Sequence, residues 1–256
     1  MNKKQERLNG LLNYINVKGR ISIRELAVIF DVTELTIRRD IQILEQKGQV
    51  QNVRGIVFSG EMNRENSMYS LSVESTKNFK EKNAIGLYAA KMIEDNDIVM
   101  IDNGTTTERL AAHFPEDINA TVFCYNINIL FNLYKKTNIS LIFGGGYYHS
   151  ETTMFESKES LELIRRIRGT KVFVSAAGVH DHLGVTCTGT YELESKREIL
   201  KASMKKILLV DSSKFGRVHE NYVCEYDIFD IIITDKMIPE EWKTRITEAG
   251  VECITV

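Results

Sequence analysis

The chain has 256 residues, 43% hydrophobic and 27% charged, an ordinary globular composition long enough for one large domain or two modest ones. No apolar run approaches the ~20 residues of a membrane span. The start, MNKKQERLNG, is charged and lacks the apolar core of a signal peptide. The net charge of −2 hides an asymmetry: residues 1–58 carry ten Lys/Arg against six Asp/Glu, a net +4, and the remainder carries 23 against 29, a net −6. A basic head on an acidic body fits a polyanion-binding module joined to something else. Cys124, Cys187, Cys224 and Cys253 are widely spaced and form no CxxC pair, so zinc has no signature here; packing roles, reduced thiols and a cytoplasmic protein are expected.

In chain order, Leu8, Leu11, Leu12 and Ile15 fall at i, i+3, i+4, i+7 and predict an amphipathic helix ended by Gly19. A second short helix, with Ile23, Leu26, Ala27 and Phe30, starts after Ser22, a good N-cap. The DVT turn follows. Thr33 can cap a third helix, ELTIRRDIQILEQKG, whose inner face is Ile37, Ile41 and Leu44 and which Gly48 stops. QVQNVRGIVF then reads as a hairpin around Arg54-Gly55.

Three helices and a hairpin, with a tight turn between the second and third helices, predict a winged helix-turn-helix. Its third helix enters the major groove of double-stranded DNA. The outward residues Thr36, Arg38, Arg39 and Gln42 suit phosphates and base edges. Ser22 and Thr33 at the two helix heads and Arg54 at the wing complete the candidate DNA-binding set. A small helical domain with a solvated charged face is the alternative; the turn, caps, hairpin and charge asymmetry together favour DNA.

The stretch RISIRELAVIFDVTELTIRRDIQILEQKGQV resembles the helix-turn-helix of the DeoR family of bacterial repressors. That family's hallmark on the recognition helix matches Thr36-Ile37-Arg38-Arg39-Asp40 residue for residue. Asp40 would repel phosphate if it pointed outward, so it is expected to hold an arginine instead. The family wing usually ends in a Gly-Gly pair; here Gly55 stands alone.

Residues 59–79 are polar and show no sustained period, so they read as a connection between a DNA-binding domain at 1–58 and a second domain at 80–256. That second domain alternates β-prone runs with amphipathic helical segments. The runs are DIVMID, ATVFCY, SLIFGGG, KVFVSAAG, KILLVD, DIIITD and ECITV, and they predict a Rossmann-like, largely parallel α/β fold. Open α/β sheets bind ligands at the carboxyl ends of their strands. Those ends are small or polar: Asp102-Asn103-Gly104-Thr105, Tyr125-Asn126, Gly144-Gly145-Gly146, Ser175-Ala176-Ala177-Gly178 and Asp211-Ser212-Ser213-Lys214. The first leads straight into a helix, so backbone N–H groups near Thr105, Thr106 and Thr107 converge on one spot and suit an anion. Neither the dinucleotide nor the triphosphate glycine motif occurs, which leaves a small phosphate ester.

The Asp-x-Gly-Thr-Thr loop, the glycine run and DSSKFG resemble the effector domain of the same family, which is similar to ribose-5-phosphate isomerase and senses phosphorylated sugars. The resemblance covers nearly the whole chain. It implies that Asp102, Gly104, Thr105 and Thr106 line the phosphate and hydroxyl site, beside Thr107. It also implies that Gly145 and Gly146 admit the ligand to the backbone, that Lys214 neutralises it, and that Tyr125 and Asn126 are neighbours. Glu192, Glu194 and Lys196 either contact the sugar or stand on the surface. Cys124-Tyr125-Asn126 departs from the usual Thr-Asn-Ser and matches the deoxyribose-responsive members, which implies deoxyribose-5-phosphate as effector.

The functional expectation is a non-enzymatic transcription regulator, a repressor released from operator DNA by a sugar phosphate, homo-oligomeric and without cofactor, metal or membrane partner. An activator, or an isomerase or deaminase using Asp102, Glu192 or Glu194 as base, is the alternative. His180 and His182 lie two apart, but no third ligand has recognisable spacing.

Overall fold

The computed structural model describes residues 3–18, 20–46, 49–53, 55–59, 74 and 77–256, and these divide into two compact units, Met1–Val73 and Glu74–Val256. In the first unit, α1 (Lys3–Lys18), α2 (Ile23–Ile29) and α3 (Glu34–Gln46) pack around Leu8, Leu11, Ile15, Leu26, Ile37 and Ile41. These are the apolar positions of the helical period. A capping box starts α2: Glu25 N–H donates to Ser22 Oγ at 3.1 Å and Ser22 N–H donates to the Glu25 carboxylate at 3.0 Å. Asp31 makes the turn between α2 and α3 with φ +50°, a conformation that aspartate tolerates better than most residues.

The hairpin is present as β2 (Val50–Val53) and β3 (Ile56–Ser59), with Val50 and Val57 in the core. A third strand, β1 (Arg20–Ser22), pairs antiparallel with β3. Three residues carry no readable period, so the sequence gives no sign of it. Ser59, placed in the connection by sequence, is the last residue of β3.

The second unit is built on seven parallel strands: β4 (Asp97–Ile101), β5 (Ala120–Cys124), β6 (Ile139–Phe143), β9 (Gly169–Ser175), β12 (Ser203–Leu209), β14 (Ile231–Thr234) and β15 (Glu252–Thr255). These correspond to the seven apolar runs. Alternate residues feed opposite faces. Val99, Ile101, Val122 and Phe173 pack under α4 (Phe79–Ala90), α5 (Thr105–Ala112) and α6 (Ile127–Leu133). Met100, Phe123, Val172 and Val174 pack under α7 (Lys158–Arg166), α8 (Leu193–Lys201) and α9 (Glu240–Glu248). Burial on both faces is why the strands read as continuous apolar runs. The four cysteines are free and lie in or against these two cores.

The strand order is β15-β14-β12-β9-β4-β5-β6. The chain runs outward from β4 to β6, then returns to the other side of β4 as β9 and continues away. The order therefore reverses between β4 and β9, and in open α/β sheets that switch point opens a crevice at the carboxyl ends. The Asp102–Thr107 segment leaves β4 there. Two small features escaped the sequence reading: a hairpin of β7 (Tyr147–His149) and β8 (Met154–Glu156), and a side sheet of β10 (Gly178–His180), β11 (Gly184–Cys187) and β13 (Asn221–Cys224).

Candidate functional site

On α3, Arg38, Arg39 and Gln42 are exposed and Thr36 is half-buried, while Ile37 and Ile41 face inward. Arg38 makes a loose pair with Glu34 at 3.7 Å across solvent, which leaves the guanidinium able to turn to phosphate. Asp40 is buried and accepts from Arg7 Nε at 2.6 Å, so its carboxylate ties α1 to α3 instead of facing a polyanion. Ser22 and Thr33 are both engaged as caps: Thr36 N–H donates to Thr33 Oγ1 at 3.3 Å, and the two threonine hydroxyls lie 3.0 Å apart. Arg54 and Gly48 lie outside the described residues.

At the switch point Gly104 is required sterically. A Cβ there would fall 2.4 Å from Ser175 Cβ at the end of β9. Asp102 comes off β4 fully buried. Its Oδ1 accepts from the Tyr125 hydroxyl, and its Oδ2 accepts from Ser175 N–H at 3.0 Å and from Lys196 Nζ at 2.5 Å. Lys196, on α8, also donates to Ser175 O at 3.1 Å and lies 3.7 Å from Glu192. Burial alone would lower the Lys196 pKa, but Asp102 and Glu192 outweigh it and hold the ammonium above its ordinary value. Burial and the Asp102 charge push the Tyr125 phenol well up, so it stays a donor.

Asp102 and Tyr125, expected at the ligand site, are both buried and hydrogen-bonded to each other. Asn126 is likewise internal. Its Nδ2 donates to Asn103 Oδ1 at 2.6 Å and to Thr152 O at 3.1 Å, and its Oδ1 caps α6 by accepting from Asn128 N–H at 2.8 Å. Thr107 turns its hydroxyl back to Gly104 O at 2.8 Å and has no exposed surface. Thr105 and Thr106 remain at the head of α5, where first-turn N–H groups have no intrahelical partner.

Gly146 serves packing. A Cβ there would sit 2.1 Å from Glu156 O on β8, and its φ is +139°. Gly145 is exposed, and nothing crowds its Cβ position. Lys214 does not stand beside Asp102, because β9 separates β4 from β12. Its Nζ lies 2.5 Å from Glu74 Oε1 instead. The cation at Asp102 is Lys196, and its i,i+4 spacing from Glu192 was the available sequence signal. Glu194 is exposed on α8. His180 and His182 flank Asp181, which pairs with Arg245. Among the described residues no group of three or more His, Cys, Asp or Glu is placed to hold a metal, and no helix is long and apolar enough to cross a membrane.

An exposed basic recognition helix on one unit and an open parallel α/β sheet with its switch point between β4 and β9 on the other are the architecture of a DNA-binding domain joined to an α/β domain. Residues 7–61 match the DeoR-like helix-turn-helix domain, and residues 77–236 match the DeoR C terminal sensor domain. The chain belongs to the DeoR family of transcriptional regulators. It is 30% identical over 242 residues to the HTH-type transcriptional regulator IolR of Bacillus subtilis (strain 168), covering 94% of this chain and 95% of that one. It is 28% identical over 240 residues to the Deoxyribose operon repressor of Escherichia coli (strain K12), covering 94% of each. A solved D-ribose-5-phosphate isomerase in complex with phospho-erythronic acid overlays with a TM-score of 0.39 at 18% identity, covering 67% of this chain and 66% of that one. An overlay at that level assigns neither activity nor ligand.

Proposed function

We propose that the protein represses a sugar or deoxyribonucleoside catabolic operon and leaves its operator when a phosphorylated sugar, deoxyribose-5-phosphate first among candidates, binds at the strand ends of the second unit. The observation that carries this reading is the head of α5 at the β4–β9 switch point, with Thr105 and Thr106, both buried, in its first turn. The phosphate is held by Lys214 beyond the carboxyl end of β12, and the sugar reaches toward the first turn of α5. Asp102, Tyr125, Asn126 and Lys196 act as positioning residues that fix the loop. Thr36, Arg38, Arg39 and Gln42 contact operator DNA, with Arg54, Ser22 and Thr33 beside them. The protein works as a homo-oligomer in the cytoplasm, since helix-turn-helix proteins read paired half-sites.

Catalysis is disfavoured by the state of the candidate bases. Asp102 is neutralised by Lys196, and Glu192 accepts from Gly189 N–H at 2.8 Å and from Asn103 at 3.2 Å. The name of one relative supports the deoxyribose choice, and the similar identity to a second keeps that choice a matter for experiment.

The test has two arms. A thermal-shift screen across sugar phosphates should single out one compound, and Thr105→Val should weaken it without changing DNA affinity. On DNA selected by the protein from a random pool, Arg38→Ala with Arg39→Ala should abolish specific binding and lower the salt slope by about two. A screen with no shift, or unchanged DNA affinity, overturns the corresponding assignment.

A further inference from the structure

The carboxyl end of β12 carries a second charge cluster. Lys82 on α4 and Lys214 are buried, and Asp211 is fully buried. Two positive charges against one negative is an unfavourable interior. Glu74, the first residue of the second unit, completes it. Lys214 Nζ lies 2.5 Å from Glu74 Oε1, Lys82 Nζ lies 3.7 Å from the same oxygen, and Lys82 also donates to Glu74 O at 2.6 Å. Lys77 reaches the other carboxylate oxygen from the solvent side at 3.4 Å. Asn78, in the left-handed region at φ +49°, clips the same stretch by donating to Asp211 Oδ1 at 2.7 Å.

One atom is left over. Asp211 Oδ2 is buried and has no hydrogen-bond donor among the described residues; its nearest cation is Lys82 at 3.8 Å. An acceptor without a donor, beside a carboxylate held by lysines, describes the two halves of a ligand that brings its own anion and its own hydroxyl. A phosphorylated polyol has both.

We infer that Glu74 is an internal competitor for the effector's phosphate: its carboxylate holds Lys214 in the unliganded protein and yields it when the phosphate binds. The inference rests on the proposed sugar-phosphate site and adds its regulation. Exchange leaves Lys214 paired, because one anion replaces another on it while a sugar hydroxyl donates to Asp211 Oδ2. Burial alone would raise the Glu74 pKa, but Lys214 and Lys82 overcome it and hold the carboxyl at about 2, so Glu74 competes as a full anion at neutral pH. An intramolecular competitor sets the effector concentration at which the protein responds.

The test uses the full chain with deoxyribose-5-phosphate and, separately, inorganic phosphate, read by calorimetry. Glu74→Gln keeps the shape and removes the charge, and it should tighten both by at least about ten-fold. Glu74→Asp should stay near the parent, and adding Lys214→Met to Glu74→Gln should erase the gain. Equal or weaker binding by Glu74→Gln, or a gain that survives Lys214→Met, overturns the inference. If Glu74→Gln is too unstable for calorimetry, inorganic phosphate should raise its melting temperature more than the parent's, and an equal rise refutes the competition. A parent that binds sugar phosphates with the same affinity as Glu74→Gln removes the competitor and leaves the sensor reading standing. A parent that binds none, beside a Glu74→Gln variant that gains inorganic phosphate, keeps the competitor and removes the sugar.

Discussion

Replacing Lys196 by methionine strands the Asp102 carboxylate. Among the described residues two of its three donors remain, the Tyr125 hydroxyl and Ser175 N–H, but the only cation touching it is gone. Breaking a buried pair from one side costs about 3–5 kcal/mol. The carboxylate has one escape, taking a proton. Moving an ordinary aspartic acid from its usual value near 4 to above pH 7 costs about 4 kcal/mol, which caps the loss at about 3–4 kcal/mol. For a unit the size of Glu74–Val256, each kcal/mol shifts the melting temperature by roughly 2–4 °C, so Lys196→Met should lower it by about 6–16 °C at pH 7. At pH 5 the proton costs only about 1.5 kcal/mol, and the deficit should shrink to about 3–6 °C. Adding Asp102→Asn should recover much of the loss, because the stranded charge is then absent. Calorimetric melting of the single and double variants at both pH values decides it. A fall of less than about 3 °C at pH 7, a deficit that does not shrink with acid, or additive losses in the double variant would refute the buried-pair assignment.

The same logic applies on a smaller scale in the first unit. Arg7→Leu leaves Asp40 unpaired between α1 and α3 and should destabilise that unit by about 1–3 kcal/mol, with Arg7→Leu/Asp40→Asn recovering part of it; urea denaturation of the isolated melting transition reads this directly. Glu74 gives the pH dependence. Its folded pKa of about 2 lies below the ordinary 4.5, so its contribution is fully present above pH 4.5 and is lost as pH falls from there toward 2. Melting temperatures of the parent should therefore fall more steeply than those of Glu74→Gln across that window, and parallel curves would count against the Lys214 pair.

The sheet was legible because its strands are buried on both faces. Runs such as KVFVS and KILLV have no competing helical period, and the amphipathic segments between them fix the connections. The recognition helix was legible for a similar reason: Ile37, Ile41 and Leu44 mark the inside and leave Arg38 and Arg39 outside. Side-chain direction at the strand ends was less legible. Asp102 and Lys214 both follow apolar runs, yet one meets Lys196 from a helix 94 positions away and the other meets Glu74 from 140 positions upstream. No local period encodes such partners. The β7–β8 hairpin escaped because its strands are three residues long and its turn carries Thr153 at φ +56°, a conformation a β-branched residue rarely takes.

The two charge clusters beside the switch point differ in how reversible they are. At β4 both partners are interior: Asp102 has no exposed surface, Lys196 almost none, and further hydrogen bonds hold each of them. Separating them exposes the full desolvation cost with nothing to take the carboxylate's place, so this pair behaves as a fixed part of the scaffold. At β12 the carboxylate arrives on the chain that enters the unit, keeps 14% of its side-chain surface in water, and leaves a neighbouring acceptor, Asp211 Oδ2, without a donor. Water can stabilise Glu74 as it leaves, and an incoming phosphate can stabilise the lysine it abandons. An exchange of that kind approaches neutrality in free energy, and a sensor must work there, because a ligand shifts an equilibrium only by its differential affinity for the two states. The fixed pair holds the shape of the loop that begins at Asp102, and the exchangeable pair is the one that the proposed competition would open.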